Sequence, residues 1–103
     1  MIKVTYITDG ISHDLMLQGH AGYAPHGEDI VCAAVSGIIY SLLGWLENNE
    51  YELLSCDTHV KGGDVHIYCE GGDLLAAVMD MTIIGLEQIE HQYPEHVVIG
   101  EAD

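Results

Sequence analysis

The sequence has very little positive charge. Apart from histidine, its only basic side chains are Lys3 and Lys61, against 17 aspartates and glutamates, which gives a formal net charge of −15. A field of that sign repels nucleic acid phosphates and attracts basic partners. We therefore expect no direct contact with nucleic acid and a basic protein or peptide as partner. The alternative is that the acids only keep a small protein soluble.

Targeting and membrane signals are also missing. The chain does not start with a basic segment followed by an apolar run, so we expect no signal peptide. The most apolar segment, residues 30–46, contains Ser36 and Ser41 and is flanked by acids, which favours burial in protein over a membrane span. Cysteine occurs three times, an odd number that suits a reducing compartment. We expect a cytoplasmic protein with no membrane partner.

Hydrophobic periodicity predicts the elements of the fold. Short alternating runs near residues 2–6, 14–18, 54–60, 65–69 and 97–99 predict strands, and apolar stripes at helical spacing predict helices from residues 30 and 73. The order β-β-α-β-β-α-β predicts an α+β two-layer sandwich with a mostly antiparallel sheet. Because no repeat or linker divides the chain, we expect residues 1–103 to form one domain.

A two-glycine turn at residues 62–63 predicts a hairpin in the middle of the chain. Counting outward from it pairs His59 with His66, and Cys56 with Cys69. Both cysteines then share the core face, where we expect reduced, buried thiols; a disulfide or a metal site is the sharper alternative. Strand alternation places the two histidines on the face opposite Cys69, so we expect no metal ion and no cofactor.

Residues 19–36 form the candidate site. His20 follows a strand, a glycine-containing loop comes next, and Cys32 falls in the first turn of a helix. Asp29 is a good N-cap whose carboxylate can accept the N–H of Cys32, and the unpaired N–H groups of a helix start favour a thiolate. Strand alternation places His20 on the face opposite Leu17, pointing away from the core.

Other residues of this segment have two interpretations each. Ser36 lies one turn below Cys32 and either supports it with a hydrogen bond or is a small packing residue. Asp29 either caps the helix, the simpler account, or orients the loop or His20. His26 is a rival to His20 as the base. We expect the loop, residues 21–28, to be mobile without a ligand, since it has only one large ring to anchor it.

The motifs of this segment resemble those of a known family. Gly-His-Ala at residues 19–21, a glycine-containing loop and Asp-Ile-Val-Cys-Ala at 29–33 look like the ribosomal-processing cysteine protease family, Prp. Gly-Gly-x-x-His-Ile at 62–67 and Leu-x-x-Ile-x-x-x-Tyr at 86–93 are similar to it as well, so the resemblance covers nearly the whole chain. Members of that family trim an N-terminal extension from a large-subunit ribosomal protein in certain bacteria.

The resemblance implies a function and a set of roles. Cys32 would be the nucleophile and His20, favoured over His26 by its place in Gly-His-Ala, the general base of a cysteine endopeptidase. Apart from the resemblance, Asp29 and Ser36 are the candidate supporting residues, and the candidate substrate contacts in the loop are Gly22, Tyr23 and Gly27. The resemblance also implies a homodimer and a substrate tail with apolar aromatic residues before the cut and a small residue after it.

Two other functions remain open on the sequence. In one, Cys32 is an inert packed thiol and the protein is a non-catalytic acidic module that binds a basic peptide or ribosomal protein. In the other, Cys32 is a thiol redox sensor. Activated cysteines react selectively with alkylating agents below neutral pH, so selective labelling of Cys32 would favour the protease.

Overall fold

The computed structural model describes residues 1–25 and 27–100. Five strands and two helices follow one another in the predicted order: β1 Ile2–Thr8, β2 Ser12–Gln18, α1 Ile30–Asn48, β3 Leu53–Lys61, β4 Asp64–Gly71, α2 Asp73–Gln92 and β5 Val97–Gly100. A 3₁₀ turn that the sequence analysis did not predict, Glu50–Glu52, connects α1 to β3. The strands form one sheet in the order β3-β4-β2-β1-β5.

The sheet is mostly antiparallel, as predicted. Antiparallel pairing joins β1 to β2, β2 to β4 and β4 to β3, while β5 runs parallel to β1 and forms the far edge. Both helices contribute to one core cluster with the inward-facing strand residues. The α+β sandwich predicted from periodicity is therefore confirmed.

The hairpin register is also confirmed, but one consequence drawn from it is wrong. Cys56 pairs with Cys69 and His59 with His66, and the histidines are exposed whereas Cys69 is fully buried. Cys56, however, is exposed. It lies on the edge strand β3, whose helix-facing side borders an open groove beside α1 rather than the closed core.

The two helices pack closely at a glycine of α2. The N-cap of α2 is Gly72, which makes no side-chain hydrogen bond. In α1, a Cβ at Gly37 or Gly44 would meet nothing within 4 Å. At Gly85 of α2, by contrast, a Cβ would lie 3.2 Å from the Ile38 Cδ1. Ile38 fills the room that a side chain at residue 85 would need.

By length and composition alone, α1 is long and apolar enough to cross a membrane. Five of its apolar side chains are buried in the core cluster: Val31, Val35, Ile39, Leu42 and Leu46. An apolar helix that carries the core of a two-layer protein meets the same criteria, so the finding adds no membrane role.

A buried histidine was missed by the sequence analysis. His13 on β2 is 1% exposed, and its Nδ1 lies 2.7 Å from the Tyr6 hydroxyl and 3.0 Å from that of Thr8. Its Nε2 is buried without a partner among the described residues. Desolvation by this burial lowers the pKa of His13, partly opposed by the nearby Asp9 carboxylate.

Candidate active site

Asp29 ties together the helix start and the loop before it. One carboxylate oxygen accepts the N–H groups of Val31 (3.0 Å) and Cys32 (2.9 Å). The other accepts the N–H of Tyr23 at 3.0 Å and, more weakly, that of Ala24 at 3.5 Å. These four N–H groups, that of Cys32 most strongly, lower the pKa of Asp29, because each hydrogen bond favours the ionised carboxylate. Asp29 therefore caps α1 and at the same time binds the backbone of the loop.

The Cys32 sulfur is half-buried and has a donor of its own. The backbone N–H of Ala21 donates to Cys32 Sγ over 3.2 Å. An N–H aimed at sulfur stabilises the thiolate more than the thiol. This contact brings the strand end next to the helix start, eleven positions apart in sequence.

His20 is exposed, as predicted, but on a different side of the sheet from the one expected. The alternation fails at Gly19, whose φ of +96° turns the chain, so His20 lines the same cavity as Leu17 and Cys32. Its ring rests on the hairpin: a Cβ at Gly63 would lie 2.9 Å from His20 Nε2. Within the described residues, no hydrogen bond joins His20 to Cys32.

A cavity of about 570 Å³ contains most of the predicted site. Its lining includes His20, Gly22, Gly27, Asp29, Cys32 and Ser36. Apolar side chains from the sheet and α1 complete the wall: Ile2, Leu17, Val35, Ile39, Tyr40, Val60 and Val65. Ser36 is exposed in this cavity, and in the described part of the chain its hydroxyl makes no hydrogen bond to Cys32.

The loop is anchored more firmly than its glycines suggested. Tyr23, which does not line the cavity, packs edge-on against Tyr93 at 5.5 Å and His96 at 5.3 Å between ring centroids. Its N–H is bound by Asp29, and Ala21 is buried. The rival base His26 lies outside the described residues.

Sequence reasoning missed one residue beside the site. His96 Nδ1 lies 2.9 Å from the Ala21 carbonyl oxygen, a contact that spans 75 positions. No local spacing could have predicted it, because His96 comes from the segment between α2 and β5. Only the tertiary fold brings it to Ala21.

Apart from Cys32, the thiols lie together. The Cys56 and Cys69 sulfurs are 2.7 Å apart as free thiols. Burial, and then the neighbouring Cys56, strongly raise the pKa of Cys69. His66 Nε2 lies 2.6 Å from an Asp14 carboxylate oxygen on the opposite sheet face. Within residues 1–25 and 27–100, no group of three or more potential ligands could hold a metal ion.

Comparison with known proteins assigns this chain to the cysteine proteases. Its α+β sandwich carries a cysteine at a helix start, beside an apolar cavity. A family model described as Cysteine protease Prp matches residues 1–98. The chain belongs to that family, as the motifs around His20 and Cys32 predicted.

Individual relatives agree over nearly the full length. A ribosomal processing cysteine protease Prp of Mycoplasma pneumoniae is 35% identical over 97 residues, covering 94% of this chain and 91% of that protein. A Prp structure from Staphylococcus aureus with a covalently linked product peptide superimposes with a TM-score of 0.81 at 24% identity, over 99% of this chain and 100% of that one. A structure from Streptococcus mutans superimposes with a TM-score of 0.72 at 26% identity, over 98% of this chain and 93% of that one.

Proposed function

We propose that this protease removes an N-terminal extension from a large-subunit ribosomal protein with a Cys32–His20 dyad. The observation that carries the proposal is the Ala21 N–H on the Cys32 sulfur, with His20 next in sequence and in the same cavity. That arrangement gives one thiol a stabilising donor and a nearby base. The names of the matching relatives supply the substrate class, since they are ribosomal processing proteases.

The chemistry follows the usual course for a thiol nucleophile. His20 takes the Cys32 proton, the sulfur attacks the peptide carbonyl carbon, and His20 returns the proton to the leaving amine. Water then hydrolyses the thioester, with His20 again as base. Because the two side chains are not hydrogen-bonded in the described residues, peptide binding has to bring them to roughly 3–4 Å.

The Cys32 N–H makes a poor oxyanion donor in this arrangement. It already donates to Asp29 over 2.9 Å, so a tetrahedral oxyanion would have to compete with a carboxylate. We therefore assign Asp29 to organising the loop and helix start, and Ser36 to the cavity wall one turn below Cys32. The oxyanion is left to other N–H groups around the cavity.

Substrate selection is assigned to the cavity wall and the overall charge. Apolar side chains from β2, β3, β4 and α1 line the space in front of Cys32, which suits apolar aromatic residues before the cut. Gly22 and Gly27 in the loop leave room for the peptide backbone, and Tyr23 fixes the loop from behind. A net charge of −15 attracts a basic ribosomal protein body and disfavours nucleic acid.

Assembly and compartment are further parts of the proposal. Large apolar side chains remain exposed on both helices, including Tyr40 (68% exposed) and Met81 (70%), and an interface between two copies would cover such side chains. We assign the working form to a homodimer in the bacterial cytoplasm. Light scattering of the purified protein tests whether it is a dimer.

The test of the dyad is incubation with an extended ribosomal protein from the same organism, read by intact mass. Cys32→Ala, Cys32→Ser and His20→Ala should each abolish cleavage while far-UV dichroism stays unchanged, because neither residue is buried in the core. Cys56→Ser, which changes an exposed thiol, should cleave at the wild-type rate. Processing by Cys32→Ala would refute the nucleophile. Selective alkylation of Cys32 without any cleavage would favour the redox sensor, whereas the absence of both would favour the binding module.

A further inference from the structure

We propose that His96 is a positioning residue for Cys32: it holds Ala21 in place so that the Ala21 N–H stays on the sulfur. The inference rests on the proposed role of Cys32 as nucleophile. It adds a residue from the opposite end of the chain that lies outside the motifs around the dyad.

The direction of the His96 hydrogen bond is fixed by chemistry. A backbone carbonyl oxygen can only accept, so Nδ1 carries the proton that points to the Ala21 oxygen at 2.9 Å. A neutral ring in this tautomer and a protonated ring both keep that donor. The hold on Ala21 therefore does not depend on whether Nε2 is protonated.

Ala21 is held on both sides. Its carbonyl accepts from His96, its N–H donates to Cys32 Sγ over 3.2 Å, and the residue is 2% exposed. Without the carbonyl contact, Ala21 itself would keep only its burial and the N–H contact with the sulfur; the nearest other backbone hydrogen bonds are those of Gly19 and Tyr23. The distance from the N–H to the sulfur thus depends on His96.

His96 is itself fixed by the fold. Its N–H donates to the Tyr93 carbonyl at 2.9 Å, and its carbonyl accepts from the Ile2 N–H at 2.9 Å, beside the parallel β1–β5 pair. The ring meets the edge of Tyr23, whose N–H goes to Asp29. Together these contacts connect five residues in a closed ring: His96, Ala21, Cys32, Asp29 and Tyr23.

The test compares two variants that differ by one methylene. In His96→Asn, the side-chain amide nitrogen is attached to Cγ, as Nδ1 is, and can donate to the same carbonyl. In His96→Gln the amide is displaced by one bond. We expect the pH–rate profile for Cys32 alkylation by iodoacetamide, followed by peptide mass spectrometry, to move upward by about one pH unit in His96→Gln. His96→Asn should stay close to wild type.

Cleavage should follow the same order, with kcat/KM at neutral pH reduced roughly tenfold in His96→Gln. His91→Gln, at an exposed histidine in the last turn of α2, should change neither measurement.

Alkylation profiles that superimpose for wild type, His96→Asn and His96→Gln would overturn the inference, even if His96→Gln melts at a lower temperature. An equal upward shift in both variants would also overturn it, because the donor position would then not matter. If the profile shifts as expected but wild-type protein cleaves no ribosomal protein, the positioning role stands and the proposed function fails.

Discussion

Gly63→Ala should slow the protease by displacing His20 of the proposed dyad, although it replaces neither His20 nor Cys32. A Cβ at this position would lie 2.9 Å from His20 Nε2, 3.1 Å from His20 Cε1 and 3.1 Å from the Gly19 carbonyl oxygen. Ordinary contacts begin near 3.4 Å, so the His20 ring must retreat by roughly half an ångström or more. Displacement of a catalytic group by about 1 Å can cost on the order of 100-fold. We therefore expect a 10- to 100-fold fall in kcat/KM.

The matched control for this prediction is the neighbouring Gly62→Ala. That change forces alanine into a φ of +57° but adds no contact within 4 Å, so it weakens the hairpin turn without pushing His20. Urea unfolding measures what each change costs the stability of the fold, and cleavage of an extended ribosomal protein measures its effect on activity. A Gly63→Ala protein that is folded and cleaves at the wild-type rate would refute the placement of the base against the hairpin.

Two further predictions concern stability, measured as the free energy of unfolding in urea. Cys69→Ala should cost about 1 kcal/mol, since it empties part of a fully buried site, whereas Cys56→Ala on the exposed edge should cost little; equal losses would contradict the asymmetry. His13 has a lowered pKa in the folded protein, so its contribution is complete above about pH 6.5 and is lost as the pH falls, because the unfolded chain binds the proton first. For one proton, the free energy of unfolding changes by at most about 1.4 kcal/mol per pH unit, and His13→Gln should remove this pH dependence. The same pH dependence in wild type and His13→Gln would contradict the prediction.

Local patterns were enough to predict the elements and the hairpin register. The two-glycine turn determines which residues pair across β3 and β4, so Cys56 opposite Cys69 follows from counting alone. Burial did not follow in the same way. Alternation indicates which face a side chain takes, but only the packing of α1 decides whether that face is covered. At Cys56 an open groove remains between β3 and α1.

The candidate site was predictable as a set of residues and not as a geometry. His20 and Cys32 belong to motifs that lie close in sequence, so the segment that contains them could be recognised without coordinates. The positive φ at Gly19, which turns His20 into the cavity, is permitted by glycine but not required by it. The contact of His96 with Ala21 depends on β5 pairing beside β1, which no spacing in the chain encodes.

The position of Asp29 determines how Cys32 can be activated. A carboxylate three residues before a cysteine opposes a thiolate, which is the reverse of what the helix start provides. Here the carboxylate accepts hydrogen bonds from four backbone N–H groups, those of Val31, Cys32, Tyr23 and Ala24. The Cys32 N–H is therefore already engaged and is not free to stabilise an oxyanion. In the proposed dyad, stabilisation of the thiolate would therefore fall to the Ala21 N–H and to an imidazolium at His20. For this reason a change at His96, which touches neither the sulfur nor His20, should still alter the reactivity of Cys32.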